Sequence, residues 1–571
     1  MTAAFLPART VTALTSNVLF CTMTGGKDVT QMKKIIAAIL CAAVALGLTA
    51  CVKTGTGAGG QDDFRNGEAV VREKGADAPA PDDNDRVFYE IFVGSFSDSD
   101  GDGIGDLRGI INRMNYLNDG DPLSGLSLGI EGIWLTPIFS SPSYHKYDVT
   151  DYRSVDPAFG TADDLKELIA LCHERGVKLI LDLPINHTGR LNSLFAEFCA
   201  AHAAGDTLSP AYDRYSWRRP DDPAGGAVWE PIPGSVDYYE CNFSPDMPEL
   251  NFDSEDVRNG LLDLARFWLD LGADGFRFDA AKYVYYGDND RSADFWKWFI
   301  GRLREIKPDI YTVAEVWDIE SVADRYIPAS NCFDFTAAGQ DGIIARTAKG
   351  GNVNDFTAYT ARTLGRLKAL RADAMPVYFI ANHDTDRAAG YLGAESADMR
   401  MAANLYILSP GSPFLYYGEE LGMRGSRGAS ATDANRRLAM PWGDDDTVRD
   451  PEGANYANRT QTSAAEQKGD AGSLYSHYKR LLLLRRANPE IARGEYTPLT
   501  PEGTKLGGFV SEWEGGRVCV VHNTSGESLS VSLADLGAEG FETLTAFIGA
   551  GEASLAGGKL TVGPQTTAIL R

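Results

Sequence analysis

Basic residues are in short supply in this chain. Its 571 residues hold 54 Lys and Arg against 79 Asp and Glu, a formal net charge of −25. That argues against nucleic acid as a partner, whereas a neutral polymer needs no charge complementarity and an exported chain gains solubility from the excess. Cysteine is equally sparse. Of eight, Cys21, Cys41 and Cys51 precede residue 52, which leaves Cys172, Cys199, Cys241, Cys332 and Cys519. An odd remainder without Cys-x-x-Cys spacing gives neither a disulfide framework nor a zinc site; only Cys199 and Cys241 offer a pairing, in an oxidising compartment. Long apolar runs are missing too: residues 35–48 are too few for a transmembrane helix. What is plentiful is apolar side chain, at 44%, enough for a large core.

The short apolar run has a context. Met32-Lys33-Lys34 precedes it and Leu48-Thr49-Ala50-Cys51 closes it, a pattern that resembles a bacterial lipoprotein signal. The resemblance implies lipidation at Cys51, which becomes the mature N-terminus, membrane anchoring outside the cytoplasm and removal of the residues before Cys51, with residues 1–31 an upstream extension of a signal that has its own Met32. Two acyl chains suffice for stable anchoring. Residues 52–84 are rich in Gly, Ala, Asp and Pro and read as a flexible tether.

From residue 85 the chain alternates. Strand-like runs at 87–96, 130–139, 177–183, 275–280, 310–316, 332–335, 377–380 and 413–417 are separated by helical patterns, as in βα units. One such helix places Val257, Leu261, Leu264, Trp268 and Leu271 on a single face, with Asp253, Glu255 and Asp256 at its start. Residues 473–488 read as the last helix of the set. Between residues 187 and 251 the alternation lapses into Trp, Tyr, Pro and Gly with no barrel-type helix, which reads as an excursion after the third strand. Beyond residue 490 short strands at 508–510, 517–523, 529–533 and 567–570 alternate with Gly-rich turns. The expected architecture is an α/β chain: a (β/α)8 TIM barrel over 85–490, a B domain inserted at 187–251, and a C-terminal antiparallel β-sandwich over 491–571.

Four patches lie at the ends of those strands. They are Asp182-Leu-Pro-Ile-Asn186-His187, Gly275-Phe-Arg277-Phe-Asp279, Ala314-Glu315-Val-Trp317 and Asn382-His383-Asp384. The C-terminal end of the strands is where a TIM barrel does its chemistry. Carboxylates meeting an Arg and two His there suit cleavage of glycosidic bonds by a carboxylate pair. Asp279 and Glu315 are the expected pair. Arg277, two residues before Asp279, shares its strand face and should lower its pKa and keep it ionised. Glu315 should be held protonated by a dry cleft and a neighbouring carboxylate. Asp384 would bind sugar hydroxyls and stabilise an oxocarbenium-like transition state, with His187 and His383 as donors to the same ring.

These patches, in this order, match the four signature regions of the α-amylase family of glycoside hydrolases (family 13), which the chain resembles across 85–571. The resemblance implies Asp279 as nucleophile, Glu315 as acid/base and Asp384 as transition-state stabiliser, with retention of the α-anomer. It also implies that Arg277, His187, His383, His145 and the stacking ring of Tyr147 bind the sugar at the point of cleavage. Lys282 would reach a sugar two places along, and Arg437, in Arg437-Leu-Ala-Met-Pro-Trp442, is a further candidate contact.

The loop Asp98-Ser-Asp100-Gly-Asp102-Gly-Ile104-Gly-Asp106 sets carboxylates between glycines, which suits a hard cation. Asp98, Asp100, Asp102, the Ile104 carbonyl and Asp106 are the expected ligands of a structural Ca2+, as in similar loops of the family, although no Glu stands at the twelfth position of a true EF-hand. Many amylases hold another Ca2+ with the residue matching Asn186; here Glu249 replaces the family's Asp and Tyr283 its His.

Met247-Pro-Glu-Leu-Asn251 resembles a fifth signature intermediate between oligo-1,6-glucosidases and neopullulanases. Tyr144-His145 matches the amylase pattern, where exo-acting α-glucosidases usually carry Asp in place of Tyr144. Asp279-Ala280-Ala281-Lys282 resembles α-1,4-active members. Residues 52–84 are too few and too polar for the N-terminal β-domain of neopullulanases. The expectation is an α-amylase cutting internal α-1,4 bonds of starch and maltodextrins. An exo-acting α-glucosidase or oligo-1,6-glucosidase, or a glucanotransferase, would use the same residues. A non-catalytic glucan-binding lipoprotein is a reading from another class, set against the presence of all three acids.

Overall fold

The computed structural model describes residues 81–571 apart from Ser430 and Glu502. Cys51, and the tether as far as residue 80, lie outside the described residues.

The strand-like runs form eight strands: β1 (Phe88–Ile91), β2 (Gly132–Leu135), β3 (Lys178–Leu183), β4 (Gly275–Phe278), β5 (Tyr311–Ala314), β6 (Asn331–Cys332), β7 (Val377–Tyr378) and β8 (Ser412–Tyr416). All pair in parallel, in the order β6-β5-β4-β3-β2-β1-β8-β7. A parallel bridge between Phe333 and Val377 joins the two edges and all but closes the barrel.

Strand alternation divides the core in two. Phe88, Trp134, Ile180, Val313, Phe333 and Phe414 point inward and fill the barrel, while Tyr89, Ile91, Ile133, Leu135, Leu179 and Leu181 point outward under the helices. Gly132 is needed in the inner layer, because a Cβ there would run into the Phe88 ring. The same alternation turns Glu90, Asp182, Arg277, Asp279 and Glu315 inward where the strands end, so charge caps the apolar filling at that end.

The helix expected after the excursion runs over Glu255–Leu271, with Glu255 and Asp256 in its first turn and Trp268 fully buried. The last barrel helix is Leu474–Ala487, capped by Ser473. The excursion itself departs from expectation. It contains a helix, Ser193–Ala204, capped by Asn192 and ended by Gly205 in the left-handed region. Apolar residues surround this helix on all sides; Phe195 and Phe198 are buried while Leu194 is exposed, so no stripe marks it in the sequence. A three-stranded sheet of Trp217–Arg218, Tyr238–Glu240 and Trp229–Pro231 completes the excursion. Cys199 and Cys241 are free thiols.

After residue 494 a five-stranded antiparallel sheet and a three-stranded one share one apolar cluster that includes Val510, Val521, Leu560 and Leu570. Asn404, on a barrel helix, fastens the larger sheet by donating to the Ile548 carbonyl (3.0 Å) and Thr567 Oγ1 (2.9 Å). No helix among the described residues is long and apolar enough to cross a membrane.

Candidate active site

Arg277 organises the acids. Fully buried on β4, it is held over the Trp134 ring at 5.1 Å. Its Nη1 donates to both oxygens of Asp182 (2.7 and 2.8 Å) and to Asp279 Oδ1 (2.7 Å), and its Nη2 lies 3.2 Å from Glu315 Oε2. One guanidinium cannot neutralise three buried carboxylates, so one of them tends to keep its proton. Burial, assisted by the charges of Asp279 and Asp384 and opposed by Arg277, raises Glu315 to about 7. Glu315 Oε2 also accepts the Ala280 N–H at 2.9 Å. That N–H is aimed by an unusual backbone, since Ala280 sits at φ 43°, in the left-handed region.

Asp279 corrects an expectation. Arg277 was to lower its pKa; burial outweighs the guanidinium and raises Asp279 to about 6. Between about pH 6 and 7 Asp279 is mostly ionised and Glu315 mostly protonated, which is the division of labour that a nucleophile and an acid require.

A hydrogen-bonded chain crosses the site. His383 donates Nδ1–H to Glu90 Oε1 (2.5 Å) and is 2.7 Å from the Tyr147 hydroxyl and 3.1 Å from Asp384 Oδ2 through Nε2. Tyr147 donates its own O–H to Asp182 Oδ2 (2.9 Å). Burial disfavours the imidazolium, but Asp384 and Glu90 outweigh it and raise His383 to about 10. Asp384 is half-buried; against that burial, His383 and Arg437 hold its carboxyl well below the usual range. Arg437 donates Nη2–H to Asp384 Oδ1 (2.7 Å) and Nη1–H to the Tyr144 hydroxyl (3.2 Å).

The hairpin of Phe139–Ser140 and Asp151–Val155 carries the loop with Tyr144, His145 and Tyr147. His145 Nδ1 accepts the Tyr147 N–H (3.1 Å), which puts the ring proton on Nε2, and burial lowers its pKa to about 4. His187, lowered by burial to about 4, donates Nε2–H to the Tyr147 carbonyl (3.0 Å) and leaves Nδ1 buried without a partner. The free ring atom of His187 is therefore an acceptor, where a donor was expected. Lys282 is turned towards the Glu315 loop, where Nζ donates to the Trp317 carbonyl (2.8 Å) and Asp318 (3.0 Å).

All three acids, Arg277, both His of the patches, His145, Tyr147 and Arg437 thus meet at one end of the barrel. Glu90 was not anticipated. The available signal was its parity: an acid in an apolar run, two residues after an inward Phe.

The acidic loop stands apart. Asp98, Asp100 and Asp106 each bring a carboxylate oxygen within 4.8 Å of the others, a set of hard oxygen donors that fits a divalent cation. Asp102 stays outside this group and accepts its own Ile104 N–H (2.7 Å), so four converging aspartates become three. Backbone N–H groups already serve part of the site: Asp98 accepts from Gly101 and Gly103, and Asp106 from Ser99 and Gly109. At the position of the second family cation, Asn186 Nδ2 donates to Glu249 Oε2 at 3.4 Å.

Residues 90–494 match the family model described as alpha amylase, catalytic domain. The chain is 35% identical over 443 residues to Alpha-amylase 3 of Dictyoglomus thermophilum, covering 76% of this chain and 84% of that one. It is 31% identical over 461 residues to a 4-alpha-glucanotransferase of Thermotoga maritima, covering 78% and 96%. Among solved structures, Eubacterium rectale Amy13B superposes with a TM-score of 0.79 at 32% identity, over 86% of this chain and 96% of that one.

Proposed function

The chain belongs to the α-amylase family, and from that premise we propose that it is an endo-acting α-amylase, cleaving internal α-1,4 bonds of starch and maltodextrins with retention. The observation that carries this reading is Arg277, whose guanidinium touches Asp279 and Glu315 together. Asp279 attacks the anomeric carbon while Glu315 protonates the departing oxygen. The glycosyl–Asp279 ester is then opened by water, with Glu315, now a carboxylate, taking the proton. Asp384, Arg277 and the charged His383 face the sugar as its ring carbon becomes cationic; two carboxylates near that centre offset the positive groups. Tyr147 offers an aromatic face to the sugar's apolar side, with His145, His187, Lys282 and Arg437 as further contacts.

Tyr144 supports internal cleavage. A neutral phenol bonded to Arg437 stands where an exo-enzyme would set an acid against a chain end. A glucanotransferase shares every step but the last, in which a sugar hydroxyl replaces water, and one of the relatives bears that name.

Two parts of the reading concern the rest of the chain. Asp98, Asp100 and Asp106 would hold a Ca2+ that neutralises the loop's charge and ties β1 to the helix Leu107–Leu117; its role is structural. The signal pattern ending at Cys51 supports a lipid-anchored enzyme outside the cytoplasm.

The test is the purified protein with a maltoheptaoside blocked at its non-reducing end, alongside isomaltose and pullulan. Internal cleavage of the blocked chain, with isomaltose untouched, is expected. Glucose released only from unblocked or 1,6-linked substrates would make it an exo-glucosidase, and longer chains built from short ones would make it a transferase.

A further inference from the structure

The loop that carries Tyr144, His145 and Tyr147 contains a strained residue. Lys146 sits at φ 64°, in the left-handed region where a side chain crowds the backbone. The bend has a local use. It lets His145 Nδ1 accept the Tyr147 N–H at 3.1 Å and the Ser143 hydroxyl oxygen accept the Lys146 N–H at 3.2 Å. The first of these bonds leaves the imidazole proton on Nε2 and fixes the direction of the ring.

Such a conformation persists only where the surroundings over-determine it, and here they do so through the far end of the lysine. Its side chain is only 11% exposed. The ammonium has three protons and three neighbours: Asp156 Oδ2 at 2.8 Å, the Ser141 carbonyl at 3.0 Å, and the Phe159 ring, whose centre lies 5.4 Å away. Ser141 follows the first strand of the hairpin and Asp156 the second. Asp156 is fixed in turn. Its Oδ2 also accepts the Ser141 N–H (3.1 Å) and its Oδ1 the Ala158 N–H (3.0 Å). One buried ion pair thus pins the middle of the loop to both of its ends. Glycine would adopt the same bend without strain, but would hold none of these partners. We propose that Lys146 is a positioning residue: its ion pair with Asp156 locks the turn that aims His145 and Tyr147 at the sugar undergoing cleavage. The inference rests on the sugar-binding roles given above to His145 and Tyr147, through which Lys146 acts. Its consequence is kinetic. Groups held in place count most as the sugar distorts towards its transition state, whereas the rest of the glucan still binds. Loosening the turn therefore lowers kcat more than it weakens binding.

The experiment measures kcat and KM on maltoheptaose, together with Tm, for the full-length protein and three variants. K146G removes the ammonium and relieves the bend at once, so it tests the lock without straining the fold. Its kcat should fall about tenfold, with KM within about twofold of wild type and Tm nearly unchanged. D156N keeps the shape, removes the charge and should show the same split between kcat and KM. Because both act through one pair, K146G/D156N should lose no more kcat than the worse single variant. An unchanged kcat in K146G, a KM that rises in step with the loss, or losses that multiply in the double variant would overturn the positioning role. So would a lowered Tm with kcat intact, the mark of a lysine that serves stability alone. A wild-type protein inert towards maltoheptaose would instead overturn the glycosidase reading on which the inference rests.

Discussion

His383 donates its Nδ1–H to Glu90 across 2.5 Å, from the seventh barrel strand's loop to the first strand. Neither side chain is appreciably exposed. Glu90 thereby helps keep the imidazolium charged where the sugar is to bind, against the burial that would discharge it.

Replacing Glu90 with Gln tests that relationship. The variant keeps the shape and removes one of two carboxylates facing His383. A fall of about tenfold in kcat/KM is expected. The distinguishing readout is stability against pH. His383 has a folded pKa of about 10 against an ordinary 6.5, so its contribution is complete below about 6.5 and is lost as pH rises through about 10. E90Q should flatten that decline in a series of denaturant melts; an unchanged slope would show that Glu90 does not hold the charge.

The pH–rate profile should be a narrow bell. Asp279 must be ionised to attack, so kcat/KM falls as pH drops through about 6; Glu315 must be protonated to donate, so it falls as pH rises through about 7. The two limbs belong to the pair as a unit. Initial rates on maltoheptaose across this range check it, and a rate that stays level through both limbs would contradict the assignment.

The acidic loop yields a thermal prediction. If Asp98, Asp100 and Asp106 hold Ca2+, a chelator should lower Tm by about 2–5 °C, and added Ca2+ should restore it. D100N is the informative variant, because Asp106 also caps the helix Leu107–Leu117 through the Gly109 N–H and Asp98 bonds three backbone N–H groups. Its Tm should no longer respond to Ca2+. A wild-type Tm indifferent to chelator and Ca2+ alike would mean that backbone donors alone stabilise the loop.

The barrel was legible because its strands are buried on both faces and read as apolar runs closed by acids; 177–183 and 275–280 each end on the carboxylates that the site uses. The helix Ser193–Ala204 was not, since its apolar residues wrap the whole circumference and leave no period to find. In the site, motif and spacing reached Asp279, Glu315, Asp384, Arg277 and both histidines. Spacing says nothing of solvation, however, and so the rise of Asp279 to about 6 could only come from the burial of its carboxyl. The tautomer of His187 likewise depends on the Tyr147 carbonyl, which a loop 40 residues away in sequence brings to it.

The central claim is that Asp279 forms a covalent bond to the sugar while Glu315 serves as acid and base. It is tested most directly by trapping. E315Q incubated with α-maltosyl fluoride should release fluoride in a burst equal to the enzyme present and then stall, because fluoride leaves without an acid but the ester awaits a base. Mass spectrometry of the digested protein should then find one maltosyl group, on the peptide containing Asp279. A label on another carboxylate, or a stalled enzyme with no label at all, would contradict the account.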